Sequence, residues 1–176
     1  KYALVSGGSR GIGSAICVKL AQMGYSILIN YVNNSIEARK TLELVRQTGG
    51  DGEILMFDVS KREQVVEAIE AWGKSHPEEY IEVLVNNAGI RSDNVLVFML
   101  EEDWHRVIDI TLNGFYNMTQ ALLQPMLVHK YGRIINLASV SGLKGQLGQT
   151  NYSAAKGGLI AATKALAQEV ARKQVT

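Results

Sequence analysis

Two side chains near the end of the chain stand at a spacing that can move a proton. Tyr152 and Lys156 lie four residues apart in the run Asn151-Tyr152-Ser153-Ala154-Ala155-Lys156. If that run is helical, the phenol and the ammonium share one face. A neighbouring ammonium favours phenolate and brings a phenol with an ordinary pKa of about 10 nearer to proton exchange at neutral pH. A solvated surface pair has the same spacing, so the context must decide. Ser139 supplies part of it, at the end of the apolar run Arg133-Ile134-Ile135-Asn136-Leu137-Ala138. Open α/β sheets place their ligands at the C-terminal ends of such strands.

A second group of residues fits phosphate. Ser6-Gly7-Gly8-Ser9-Arg10-Gly11-Ile12-Gly13 follows the first apolar run and leads into a segment of helical periodicity. Glycines there allow a tight turn and let backbone N–H groups approach a pyrophosphate at a helix N-terminus. The choice of dinucleotide is read at the end of the second strand, where a carboxylate would bond the ribose hydroxyl of NAD and repel the 2′-phosphate of NADP. The chain has Asn30-Tyr31-Val32-Asn33-Asn34 at that place, and its first carboxylate beyond is Glu37. Arg10, in the glycine turn, offers a guanidinium for the 2′-phosphate, so NADP(H) is the expected cofactor, with Asn30 beside it.

The elements that must hold these residues alternate. Apolar strand-like runs at Tyr2 to Ser6, Ser26 to Tyr31, Glu53 to Asp58, Val83 to Asn86 and Arg133 to Ala138 are separated by stretches of helical period. Helices are expected near Gly13 to Met23, Ser35 to Thr48, Arg62 to Lys74, Glu102 to Lys130 with a break near Asn113, and Asn151 to Arg172. Runs such as Ala3-Leu4-Val5 and Val83-Leu84-Val85 are apolar at every position, as expected when helices cover both faces of a parallel sheet. The expected fold is a doubly wound α/β sheet in one domain over residues 1–176, with Gln174-Val175-Thr176 opening a further strand of a domain that continues.

Composition agrees with an ordinary soluble globular protein: 176 residues, 47% hydrophobic, 20% charged, net charge +1. So small a charge argues against nucleic acid or an anionic membrane as partner. The opening residues show no signal peptide or apolar span, so a cytoplasmic location is expected. Cys17 lies in an apolar helical pattern and reads as a packing residue. Trp72 and Trp104, and His76, His105 and His129, have no spacing that marks a site, and no metal is expected.

Together the glycine turn, Asp58-Val59, Asn86-Asn87-Ala88-Gly89, Ser139 and Tyr152-x-x-x-Lys156 resemble, in order and over nearly the whole chain, the classical short-chain dehydrogenase/reductase family. The resemblance implies a Rossmann-type fold and carbonyl reduction by a nicotinamide dinucleotide. Tyr152 would be the general acid, Ser139 would bond the substrate oxygen, and Lys156 would hold the nicotinamide ribose and favour the phenolate. Asp58 and Val59 would meet the adenine, and Asn87, Ala88 and Gly89 the adenosine ribose. For Asn86, tying neighbouring strands is an equally good reading.

The family pattern departs at one place. Its usual Asn-Leu-x-Gly reads Thr111-Leu112-Asn113-Gly114, so Thr111 takes the position of the fourth catalytic group. Asn113 is two residues on, about 200° around a regular helix, and should point away. Thr111 is expected to bond a water beside Lys156 through its hydroxyl or local backbone.

Within the family, Asn86 through Asp93-Asn94 to Asp103-Trp104, and Gly148-Gln149-Thr150-Asn151-Tyr152, look most like bacterial 3-oxoacyl-acyl-carrier-protein reductases. This implies a carrier-linked 3-oxoacyl thioester as substrate, with Ser139, Gln149 and Tyr152 meeting it. Lys130 and Lys173 are candidate contacts for an acidic carrier. The small and apolar helix after Tyr152 implies burial on two faces, hence a homo-oligomer, and the resemblance implies a tetramer. A reductase of a sugar, steroid or small ketone, and a sensor without turnover, remain as alternatives.

Overall fold

The computed structural model describes residues 1–176. Five strands, β1 (Tyr2–Val5), β2 (Ser26–Tyr31), β3 (Gly52–Met56), β4 (Ile81–Asn86) and β5 (Arg133–Asn136), form one parallel sheet in the order β3-β2-β1-β4-β5. Around it run α1 (Gly11–Gln22), α2 (Ser35–Gln47), α3 (Arg62–Ser75), α4 (Glu101–Ile108), α5 (Gly114–His129), α6 (Ser141–Lys144) and α7 (Thr150–Val170).

Side chains alternate across a strand, and the three central strands are apolar at every core position, so each feeds two cores. Leu4, Leu28 and Leu84 join Trp72, Met118, Leu122 and Met126 on one face. Ala3, Val5, Ile27, Ile29, Val83 and Val85 join Cys17 and Leu20 on the other. Burial pushes the Cys17 thiol up to about 12, which suits a packing residue rather than a nucleophile.

Connections from β1 run toward β2 on one side, and β4 lies on its other side. The switch point therefore falls at the carboxyl ends of β1 and β4, where such sheets bind ligands. Expected strand ends move inward at β3, which stops at Met56, and at β5, which stops at Asn136. The Asp58 carboxylate explains the first, since it accepts from the Ser60 N–H at 2.9 Å and the Ser60 hydroxyl at 2.8 Å and turns the chain. Helix α1 begins at Gly11, so the last three residues of the glycine turn already belong to it. The break near Asn113 is a π-helical turn over Asp109–Asn113. Val175 pairs in parallel with Gly132, as a further strand beside β5 would.

Candidate active site

The glycine turn is held from below by polar side chains. Gly7 and Gly11 have φ of 60° and 56°, the left-handed region that glycine tolerates. A Cβ at Gly13 would stand 2.3 Å from the Gly7 carbonyl oxygen, so only glycine lets α1 pack against the turn. Arg10, the N-cap of α1, makes no side-chain capping bond, and the first turn has no acid. The leading N–H groups are thus free to meet an anion.

Beside this turn lies a groove of about 910 Å³, within the size range of small-molecule and cofactor sites. Its walls include Gly7, Ser9, Arg10, Ile12 and Gly13 from the turn, and Asp58 and Val59 after β3. Asn87, Ala88 and Gly89 after β4 close its other side. No acidic residue follows β2 in its wall, where Tyr31, Val32, Asn33 and Asn34 stand. The anion-ready helix end, the close glycine packing and this groove fit a dinucleotide.

Three expected contacts change character. Gly8 faces the core, where a Cβ would come within 3.0 Å of Cys17 Sγ, and it is not a groove wall. Gly11 serves by its backbone conformation and is likewise not a wall. Asn30 borders the groove, but it is buried and its side chain is taken up by the scaffold. Its Oδ1 accepts from the Gly7 N–H at 3.1 Å, and its Nδ2 donates to the Phe57 carbonyl at 2.9 Å. Asn87 behaves in part the same way, its Nδ2 donating to the Ser6 and Gly7 carbonyls at 2.9 and 3.1 Å. Sequence reasoning missed Ser6, whose Oγ accepts from the N–H groups of Asn87 and Ala88. Asn86 ties strands, donating to Thr119 Oγ1 and Asn136 Oδ1.

At the Gly89 end of the groove, where a Cβ added to Gly89 would stand 3.7 Å from Lys156 Nζ, Lys156 and Tyr152 come together. Lys156 is buried, donates to the Leu137 carbonyl at the end of β5, and has its Nζ 5.7 Å from the centroid of the Tyr152 ring. Burial pushes the Lys156 ammonium below the ordinary lysine value. Ser139 lies on the turn after β5, and its carbonyl accepts from the Gly142 N–H at 3.0 Å. Gly142 packs directly on α7, where a Cβ would meet the Lys156 backbone carbon at 2.6 Å. That close approach holds the Ser139 turn against the helix carrying Tyr152 and Lys156.

Thr111 is brought to this place and Asn113 is not. The Thr111 side chain is 4% exposed, and its Oγ1 is buried with no partner. It lines a cavity of about 10 Å³ together with Lys156, Ala88 and Ile110. Asn113 donates instead to Asp109 Oδ1 at 2.7 Å on an exposed face. The π-turn leaves the outward direction of Asn113 unchanged.

Gln149, expected at the substrate, is instead turned into the protein. It is 4% exposed, its Oε1 accepts from Ser141 Oγ at 3.0 Å, and its Nε2 donates to Asp93 Oδ2 at 2.9 Å. Asn151, unremarked in the sequence, is fully buried and clamps the start of α7, donating to the Ser92 carbonyl and accepting from the Tyr152 N–H. Lys130 and Lys173 are drawn together by the pairing of Gly132 with Val175, but at the N-terminal end of β5. Ser139 is six residues up the chain from Arg133, roughly 20 Å at about 3.3 Å per extended residue. The two lysines therefore do not flank the site of their own chain.

The family model described as short chain dehydrogenase matches residues 1–176. A 3-oxoacyl-[acyl-carrier-protein] reductase of Aggregatibacter actinomycetemcomitans is 42% identical over 174 residues, covering 98% of this chain and 71% of the relative. Proteins of the same name from Pseudomonas aeruginosa and Synechocystis are 41% and 42% identical, each covering all of this chain and 70% of the relative. No helix is long and apolar enough to cross a membrane. From the 3-2-1-4-5 sheet to the glycine turn and the Tyr152 and Lys156 helix, the matched residues are those that build the groove, and the chain belongs to the short-chain dehydrogenase family.

Proposed function

We propose that this chain reduces a 3-oxoacyl thioester carried on acyl carrier protein to its 3-hydroxyacyl form with NADPH. The observation that carries the reading is the meeting of Lys156 and Tyr152 on one helix at the end of a dinucleotide-sized groove. Relatives about 40% identical over nearly the whole chain bear the name of that activity.

The nicotinamide, when bound, supplies the hydride. The N–H groups at the start of α1 hold the pyrophosphate, and Arg10 pairs with the 2′-phosphate. Asp58 and Val59 meet the adenine, and Asn87, Ala88 and Gly89 line the ribose. Ser139 donates a hydrogen bond to the substrate carbonyl oxygen, and Tyr152 delivers its phenolic proton to that oxygen as the alcohol forms. Lys156, fixed by the Leu137 carbonyl, favours the phenolate left behind and holds the nicotinamide ribose. Thr111 holds a water beside Lys156, through which the proton is replaced.

A homo-oligomer completes the reading. The outward side of α7 carries exposed Ala161, Ala165 and Ala167 among Lys164 and Gln168, small enough for close packing against a second copy.

The test is NADPH oxidation with an acetoacetyl thioester, followed by nicotinamide absorbance, beside Tyr152→Phe. Turnover by the native chain and its loss in Tyr152→Phe are expected. Normal turnover by Tyr152→Phe would remove Tyr152 from the acid role, and no turnover by the native chain would remove the substrate class.

A further inference from the structure

A line of hydrogen bonds through Asp93, Gln149 and Ser141 leads from the protein surface to Ser139. The Asp93 carboxylate accepts from Gln149 Nε2 at 2.9 Å, Gln149 Oε1 accepts from Ser141 Oγ at 3.0 Å, and the Ser141 backbone N–H donates to Ser139 Oγ at 3.2 Å. Gln149 and Ser141 are 4% and 7% exposed. Water therefore competes poorly for these bonds.

The line has a fixed direction. A carboxylate only accepts, so the amide nitrogen of Gln149 must face Asp93 and its oxygen must face Ser141. Ser141 owns one hydroxyl proton and donates it to that oxygen, so the hydroxyl has none to offer Ser139. What reaches Ser139 is the Ser141 amide, held in place because the Ser141 side chain is tethered. That N–H occupies one acceptor direction of Ser139 Oγ, which has no acceptor within the chain for its own proton. The backbone reinforces the tether: Asn94 N–H donates to the Gly148 carbonyl at 2.8 Å, and Asn94 pairs with Gln149 as an isolated bridge.

We infer that Asp93, Gln149 and Ser141 are positioning residues that orient the Ser139 hydroxyl as a hydrogen-bond donor to the substrate carbonyl. The inference rests on the proposed role of Ser139. Gln149, whose place beside Tyr152 reads in the sequence as a substrate contact, acts here through Ser139 and touches no substrate. Asp93 sets the polarity of the line by being unable to donate.

Gln149→Met keeps the shape and removes both bonds. It is expected to lower kcat about tenfold, the equivalent of one hydrogen bond of about 1.4 kcal/mol, with KM for the thioester and affinity for NADPH changed less than about twofold. Ser141→Ala, which keeps the backbone N–H but loses the tether, is expected to show the same split. Asp93→Asn can still accept from Gln149 and should restore most of what Asp93→Leu loses. In a Ser139→Ala background Gln149→Met is expected to cost less than about twofold, because the group it positions is gone. An equal loss with and without Ser139 would overturn the inference, since a merely structural role is indifferent to that background. The Ser141 amide supplies a measurement independent of turnover: its hydrogen exchange should quicken about tenfold in Gln149→Met. Unchanged exchange would sink the line of bonds even in an active enzyme. If the native chain failed to reduce the thioester, the substrate reading would fall, and the Ser141 exchange would still decide the positioning.

Discussion

The Thr111 hydroxyl and the Lys156 ammonium face the same small cavity. A methyl group placed on Gly89 would stand 3.7 Å from Lys156 Nζ and 3.9 Å from Thr111 Oγ1. The cavity of about 10 Å³ approaches the volume one water needs, and the unpartnered Oγ1 supplies a polar wall for it. Thr111→Val removes the hydroxyl at nearly constant volume. Because Thr111 Oγ1 bonds no other group of the chain, the Val variant is expected to unfold at close to the native urea concentration. Its kcat should nevertheless fall about tenfold, a part of what a proton relay contributes. Urea titration beside steady-state kinetics checks both. Full activity in Thr111→Val would deny the side chain a role in the relay.

Most of the architecture was legible because it rests on local patterns. β2 follows its apolar run from Ser26 to Tyr31 to the residue, and α2 and α3 start where helical periodicity starts, at Ser35 and Arg62. The placement of Tyr152 and Lys156 was legible for the same reason, since both lie one turn apart on a single helix. What could not be read is which polar side chains near the groove face a ligand and which face their own backbone. Asn30 bonds Phe57, 27 residues away, and Asn87 bonds Ser6, 81 residues away. Gln149 reaches Asp93 across 56 residues. Such partners are fixed by the sheet order, which no local spacing encodes. The same holds for Lys130 and Lys173, whose types suit an acidic partner but whose end of β5 is opposite Ser139.

The two glycines that lead α1 should respond differently to alanine. At Gly13 the new methyl would collide with the Gly7 carbonyl at 2.3 Å and with Asn87 Nδ2 at 2.7 Å, so the turn itself must move. Overpacking of this kind costs about 1–3 kcal/mol, and here it also displaces the N–H groups that would meet phosphate. At Gly11 a methyl meets nothing within 4 Å, and the cost is that of a left-handed conformation alone, about 1–2 kcal/mol. Calorimetric titration with the dinucleotide is expected to show affinity lost in Gly13→Ala and largely kept in Gly11→Ala. The reverse order would mean that the Gly7 to Gly13 packing does not shape the cofactor site.

Lys156 should leave a signature in the pH dependence of stability. Burial lowers its pKa in the folded chain, so between that value and the ordinary lysine value of about 10.4 the unfolded chain binds the extra proton. Stability contributed by this group therefore rises with pH across that interval, and its charging penalty is fully present below it. Lys156→Met removes the titration and keeps the length of the side chain. The stability of the Met variant relative to the native chain is expected to decline as pH is raised through that interval toward about 10.4. Urea unfolding of both proteins at each pH measures the difference, and a gap that stays constant would show that Lys156 is not desolvated in the folded state.

Arg10 should decide between the two nicotinamide dinucleotides. It stands on the groove wall with Asn33, Asn34 and Lys61, and the wall after β2 offers no carboxylate to repel a phosphate. A guanidinium bonding a phosphate contributes about 1.5–3 kcal/mol, which is a ten- to hundredfold difference in affinity. NADH lacks that phosphate, so Arg10→Ala should weaken NADPH by this factor and leave NADH within about threefold. Arg10→Glu should go further, since its carboxylate would repel the phosphate and accept from the free ribose hydroxyl. Dissociation constants for both dinucleotides, measured by fluorescence at two salt concentrations, separate the outcomes: the NADPH advantage of the native chain shrinks as salt rises, and in Arg10→Ala it is already small. Equal weakening of NADH and NADPH in Arg10→Ala would place the arginine at the pyrophosphate rather than at the 2′-phosphate.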